Sequence, residues 1–400
     1  MEPSTPLSTP EPLSEYRPGG YHPVHIGDKL SNQQYTVVDK LGWGLASIAW
    51  LATDADDVCV ALSITRAEDE ARYRMDLMSM MQFLQNDHDE IPGKEDVLFP
   101  INSFTLEGPN GLHFCIVMPF QGQTVSKLTK RNQGADTRPL VLSSAKRAIR
   151  DLARGIGFLH KVGVVHNDLH PANLFLGVPS DQPWKLAKFR EICGEPRIIE
   201  IDTTRDHHAP RYLVADAMHL PLDHSLFSGP LKIADFGEAF RTTELEPKMS
   251  AVGPYLVPEL NLPNDCSTAA DVWMFGCATY QLLSGFDLFG TVNDPSIKIV
   301  RGMMEVMGPP PQRIFESWKS MYGAAELATI DKPNRTLAHR VRDIKAGNET
   351  VGMKPREEEF SDTDINSIRD FLSYVLQYDP SERPTMEQCL RLAETIFRDD

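Results

Sequence analysis

Near residue 120 of this 400-residue chain the apolar pattern passes from mainly strand-forming to helical, and that change limits the fold more than any other feature. From 35 to about 64 the chain reads as short strands. Segments 35–40 and 48–53 flank a glycine turn, and Asp54 to Asp57 lead into 58–64. Residues 68–86 then read as a helix in which Met75, Met78 and Met81 recur every three positions, a stripe expected to pack into a core. Segment 112–118 is a further buried strand. Beyond about residue 120 the texture is helical, over 143–161, 268–283 and 365–376. Strands first and helices afterwards predict an α+β fold with the two kinds of element segregated and a boundary near 119–124. No internal repeat is visible.

Composition removes several classes of function. Forty basic and 56 acidic side chains leave a formal charge of −16 with no long basic block. Direct nucleic-acid binding through phosphates is therefore not expected. The apolar run at 112–120 is far shorter than the ~18–20 residues of a membrane span, so no membrane partner is expected either. No basic segment followed by an apolar stretch opens the chain, which argues against a signal peptide. Cysteines 59, 115, 193, 266, 277 and 389 contain no C-x-x-C pair and read as reduced thiols of a cytoplasmic or nuclear protein. Nine of the first fifteen residues are Pro, Ser or Thr, so 1–15 is expected to be a disordered tail. Within it, Thr5-Pro6 and Thr9-Pro10 are candidate phosphoacceptors.

The chemistry is concentrated in an ordered set of motifs. Gly42-Trp43-Gly44-Leu45-Ala46-Ser47 is a glycine turn followed by strand-forming residues. It is therefore a hairpin, neither the helix-opening turn of a dinucleotide fold nor a P-loop. His166-Asn167-Asp168-Leu169-His170-Pro171-Ala172-Asn173 places a carboxylate and a carboxamide five residues apart. Sixty-one residues separate Asn173 from Asp235-Phe236-Gly237, which follows the short apolar run 231–234. Downstream stand Tyr255-Leu256-Val257-Pro258-Glu259, Asp271-Val272-Trp273-Met274-Phe275-Gly276 and Asp379-Pro380-Ser381-Glu382-Arg383-Pro384.

Taken in this order, the motifs resemble the protein kinases. The flank Gly19-Gly20-Tyr21-His22-Pro23-Val24-His25-Ile26-Gly27-Asp28, with Leu41-Gly42-Trp43-Gly44, is similar to the SR-protein kinases and their fungal-type relatives over roughly 16–396. The resemblance implies a bilobal fold: a tail at 1–15, an N-lobe at 16–118 with a five-stranded antiparallel sheet and one main helix, and a mostly helical C-lobe at 119–400 with an insertion at about 180–230. It implies transfer of the γ-phosphate of ATP to Ser/Thr hydroxyls of a protein substrate, often Arg/Ser-rich, with Mg2+ as cofactor. Asp168 would be the base, and Asn173 and Asp235 the metal ligands. Leu41, Gly42, Gly44, Ser47, Ala49, Ala61 and the hinge at 118–122 (Met118, Phe120, Gly122) would hold the nucleotide in a cleft, with Met118 as gatekeeper. Asp271 would brace the catalytic loop, and Glu259 would pair with Arg383. A monomer is expected.

The pattern also breaks. Val60-Ala61-Leu62-Ser63-Ile64 puts Ser63 where kinases carry the lysine that holds the α/β-phosphates, and Asp76 stands at the place of its helical glutamate partner. Lys40 is a poor substitute, because strand alternation turns it away if Leu41 covers the adenine. Arg66 lies at an odd offset from Ser63, and Arg72 is placed for a surface pair with Asp76. His170 replaces the lysine two residues after the catalytic Asp, and Asn167 replaces the HRD arginine, so activation by loop phosphorylation is not expected. Leu256 stands where the SR-kinase group carries Arg. Three readings stay open: an active Ser/Thr protein kinase; a pseudokinase scaffold that binds ATP with little turnover; and a small-molecule kinase, since 166–173 also looks like the loop of choline- and aminoglycoside-kinase-like enzymes. The insertion carries only short apolar runs, 197–201 and 211–214. Its His207-His208 pair beside Asp206 lacks the further ligands a metal needs.

Overall fold

In the computed structural model of the protein, residues 10–398 are described apart from 87, 130–138, 178–182, 203–205, 218–228, 245–248, 251–252, 261, 263–266, 292–293, 328–334 and 357–358. The Thr5-Pro6 pair, Thr9 and Cys266 lie outside the described residues. The other five cysteines are free thiols. No helix among the described residues is long and apolar enough to cross a membrane.

Contacts divide the chain into two units. The first takes residues 1–86, 98–122 and 177–229, and the second takes 87–97, 123–176 and 230–400. The insertion thus joins the sheet unit, whereas the sequence reading counted it with the C-lobe.

The sheet unit is built on six antiparallel strands: β1 (Lys29–Leu30), β2 (Tyr35–Trp43), β3 (Ser47–Thr53), β4 (Cys59–Thr65), β5 (Asn102–Gly108) and β6 (Gly111–Pro119). Their order is β1-β2-β3-β4-β6-β5. One more strand is present than expected, the two-residue edge strand β1. Period-two alternation sends Ile48, Trp50 and Ala52, Val60, Leu62 and Ile64, and Cys115 and Val117 into one buried core. Tyr16, Tyr21 and Val24 from the N-terminal segment and Leu213 and Val214 from the insertion complete that core. The insertion folds: its runs pair as strands Ile198–Glu200 and Tyr212–Val214, and it adds a helix over Leu186–Cys193.

Two expectations are corrected in this unit. Residues 10–15 of the expected tail are structured, with a 3-10 turn over Leu13–Glu15, and Glu11 is only 2% exposed where it meets the buried ammonium of Lys40. Composition reads as disorder there, but the ion pair is non-local. The expected helix 68–86 is broken into a 3-10 turn (Ala67–Asp69), a helical turn (Glu70–Arg72), a π-helical stretch (Tyr73–Leu77) and a regular helix (Met78–Gln85). The irregular winding rotates the methionine stripe out of line: Met81 is buried, whereas Met75 is 61% exposed.

The second unit is mostly helical. Helix Leu142–Lys161 buries Ala145, Ala148, Ile149, Leu152, Ile156 and Leu159 at helical spacing. Helix Thr268–Ser284 is buried along nearly its whole length; the Ser267 side chain caps its start, and Gly285 ends it at φ 81°. The expected pair forms, with two Arg383 nitrogens each 2.6 Å from Glu259 oxygens in a buried setting. Two short antiparallel pairs frame the candidate loops: Val164–Val165 with Phe240–Arg241, and Leu174–Leu176 with Leu231–Ile233.

Candidate active site

In the helical unit, the loop 166–173 hangs on one carboxylate. Asp271, fully buried in the first turn of its helix, accepts the backbone N–H of His166 at 2.8 Å and of Asn167 at 2.9 Å. His160 Nε2 lies 3.0 Å from it. This grip fixes Asn167 at φ 66°, a left-handed conformation that asparagine tolerates better than most residues. His166 Nδ1 accepts the Asp168 N–H at 3.3 Å, so its ring proton sits on Nε2 and is donated to Ala234 O at 3.1 Å. The loop is thereby tied to the strand that delivers Asp235. A second tie runs from Ala234 N–H to Asn173 O, at 2.9 Å.

These ties gather three of the sequence-predicted residues. Asn173 Nδ2 donates to Asp168 O at 2.9 Å and to Asp168 Oδ2 at 3.1 Å, which fixes the carboxylate. His170 Nδ1 accepts the Ala172 N–H, and its Nε2 lies 3.5 Å from Asp168 Oδ2. Asp235 sits at φ 63° with an exposed carboxylate that accepts the Gly237 N–H, while Phe236 is buried 4.7 Å from the His166 ring. The Asp235 carboxylate and the Asn173 carboxamide oxygen are hard oxygen donors of the kind Mg2+ takes, so the residues fit that ion. Among the described residues no group of three or more His, Cys, Asp or Glu is arranged for a metal, and His208 instead meets Asn110 Oδ1 at 2.6 Å.

Asn167 has a use that the sequence reading missed. Its amide donates to Glu238 O at 3.1 Å and accepts the Ser250 N–H at 3.3 Å. A neutral side chain thus joins two points of the segment after Asp235.

In the sheet unit the predicted nucleotide residues share one face, opposite the apolar core. Gly42 faces Ala49, Ala49 faces Ser63, and Ala61 faces Met118 across neighbouring strands. Ser47, two residues before Ala49, lies on the same face, and Ser63 Oγ donates to its Oγ at 3.1 Å. Leu41 ends up partly exposed on β2, and Gly44 sits in the turn to β3. Past the end of β6, Phe120 is buried between Trp184 and Phe189 of the insertion, at ring distances of 5.5 and 5.7 Å. The Phe120 side chain therefore belongs to that aromatic cluster, and Gly122 is buried two residues on.

The substitutes for the missing lysine point elsewhere, as the alternation argument implied. Lys40 is fully buried, paired with Glu11, donating to Val214 O at 3.0 Å and lying 3.5 Å from Asp216. Arg66 meets Glu15 at 2.7 Å and Glu68 at 2.6 Å. Asp76 is exposed on the π-helical stretch, and the four-residue ion pair seen there runs between Arg74 and Glu70.

The protein kinase domain family matches residues 35–393. A serine/threonine-protein kinase SRPK from Physarum polycephalum is 27% identical over 96% of this chain and 90% of its own length. SRSF protein kinase 3 from Homo sapiens is 33% identical over 42% of this chain and 30% of its own. A crystal structure of a kinase domain superposes with a TM-score of 0.59 at 18% identity, covering 93% of this chain and 97% of that one. The chain belongs to the protein kinase domain family, and its relatives include SR-protein kinases.

Proposed function

We propose that the protein is an ATP-dependent serine/threonine protein kinase of SR-protein-kinase type. The observation that carries this reading is the Asp168–Asn173 pair, locked to Asp271 on one side and to the Asp235 strand on the other. Asp168 is held as an acceptor for the proton of a substrate hydroxyl, and general-base assistance of this kind is worth about 10²–10⁴ in rate. Asn173 and Asp235 would hold Mg2+, which when bound neutralises charge on the β- and γ-phosphates. The glycine turn carries successive backbone N–H groups of the kind that bind phosphate. Ser63 can donate a hydrogen bond but brings no positive charge. By analogy with the loss of one preorganised donor, its cost is on the order of 10²–10³ in turnover. The relatives' names and the charge of −16 both favour a basic, Arg/Ser-rich substrate.

The second reading, a nucleotide-binding pseudokinase, is favoured by Ser63 being engaged with Ser47 and by the exposure of Asp76. Transfer of phosphate from Mg-ATP to an Arg/Ser peptide, read by mass spectrometry beside an Asp235→Asn control, separates the two. Phosphoserine made by the wild type alone supports the kinase. Equal incorporation by both proteins, or none by either, overturns it. Nucleotide-dependent thermal stabilisation then identifies a binding pseudokinase.

A further inference from the structure

The flank Gly19-Gly20-Tyr21, one of the features behind the family resemblance, lies against the glycine turn. Gly19 adopts φ 86°, and a side chain on Gly20 would overlap the carbonyl oxygen of Glu15. These two glycines let the chain bend tightly, so that Gly19 O and Gly20 O accept the N–H groups of Glu68 and Ala67 at 2.9 and 3.1 Å. The bend delivers Tyr21, 2% exposed, beneath the turn, where its hydroxyl donates to Gly44 O at 2.6 Å.

Arg66 holds the next two carbonyls. Its guanidinium donates to Leu45 O at 3.4 Å and its backbone N–H to Ala46 O at 2.8 Å. The guanidinium lies over the Tyr21 ring, 5.5 Å from the centroid, and is fixed by Glu15 and Glu68. Three consecutive carbonyls of the turn are thus held from outside it. In a trans peptide the N–H points opposite to the carbonyl of the same plane. Anchoring Gly44 O and Leu45 O therefore turns the N–H groups of Leu45 and Ala46 away from Tyr21 and Arg66. Successive backbone N–H groups presented in this way form an anion-binding concavity.

We propose that Tyr21 and Arg66 are positioning residues of the nucleotide lid, holding its backbone donors ready for the phosphates of a nucleoside triphosphate. Part of the phosphate binding lost with the lysine at position 63 is then supplied by preorganised main chain. This rests on reading 42–47 as a nucleotide lid. The Tyr21 phenol is protonated at neutral pH at its ordinary value, and burial moves it further up.

The test compares wild type with Tyr21→Phe and Arg66→Met in two measurements: amide hydrogen exchange without nucleotide at Gly44, whose N–H donates to Ser47 O at 2.9 Å, and affinities for Mg-ATP and for adenosine. Loss of one hydrogen bond predicts about fivefold faster lid exchange and about fivefold weaker Mg-ATP binding in Tyr21→Phe, with adenosine affinity unchanged. Arg66→Met should give a larger effect, and Arg66→Lys should restore part of it. Unchanged exchange in both variants overturns the proposal, as does an equal loss of ATP and adenosine affinity, which marks general loosening. A wild type that binds neither ligand defeats the kinase reading, whereas the exchange measurement still decides whether Tyr21 and Arg66 hold the lid.

Discussion

Replacing Lys40 by Met tests whether the N-terminal segment and the insertion are integral to the sheet unit. The ammonium is fully buried, with the carboxylates of Glu11 and Asp216 at 1% and 12% side-chain exposure and Val214 O as its neutral acceptor. Methionine keeps the length and removes the charge. Glu11 then retains the Tyr16 hydroxyl at 2.7 Å but no cation from β2. Removing one member of a buried pair costs about 3–5 kcal/mol, most of it from the carboxylate left behind. For a unit of this size each kcal/mol moves the midpoint by roughly 2–4 °C, so the loss should be on the order of 6–20 °C. Urea denaturation followed by fluorescence of Trp50 and Trp184 measures it, beside Glu11→Gln and the double variant. The double variant should regain about 1–3 kcal/mol, since a neutral amide no longer needs the cation. A loss below about 1 kcal/mol, or a double variant no better than Lys40→Met, would refute the reasoning that this cluster anchors both segments.

The other predictions are briefer. Ser63→Lys should raise turnover, by on the order of tenfold, because it restores a charged donor where Ser63 now meets Ser47; an unchanged rate with ATP still bound would show that Ser63 is not the defect. Asn167→Ala removes two hydrogen bonds to the segment after Asp235 and should speed amide exchange at Ser250 about tenfold. Phosphatase treatment of the wild type should leave its rate unaltered, and a rate that falls would contradict the neutral clamp. Burial, helped by the neighbouring His113 and His25 rings, lowers His22 from 6.5 to about 4. The folded state therefore binds this proton less readily than the unfolded one. Its contribution to stability is complete above pH 6.5 and is lost as pH falls toward 4, about 2 kcal/mol by pH 5. His22→Gln should flatten that slope in urea denaturation at pH 7 and 5, and an identical slope in both proteins would reject the assignment.

What could be read from the sequence follows the range of the interactions. Motifs carried by local geometry, 166–173, 235–237 and the glycine hairpin, could be recognised because five- or six-residue spacing already fixes which groups meet. Strand-forming runs bounded by turn residues likewise located β2, β3 and β4, and a continuous apolar run located β6. Strand β5 is hard to read because only two apolar residues, Phe104 and Leu106, carry its alternation with exposed Thr105 and Glu107, and they are only half-buried. The insertion was unreadable for a different reason. Its strands are three residues long, too short for a period, and its place is set by partners far along the chain: Arg190 with Asp39, Asp216 with Lys40, and Trp184 with Phe120. The same holds for the N-terminal segment, whose Pro- and Ser-rich composition conceals Glu11 and Tyr21. Asn167 was noticed as a missing arginine, but its bonds to Glu238 and Ser250 depend on chain folding that no spacing reveals.

Asp168 is proposed to do chemistry in a chain whose third strand carries Ser63 in place of lysine. Single-turnover transfer of radiolabelled phosphate from Mg-ATP to an Arg/Ser peptide, by wild type and Asp168→Asn at matched nucleotide occupancy, tests it most directly. Measurable transfer by wild type that falls by about 10²–10⁴ in the variant, with Mg-ATP affinity retained, is the predicted result. Equal rates in the two proteins would contradict the account.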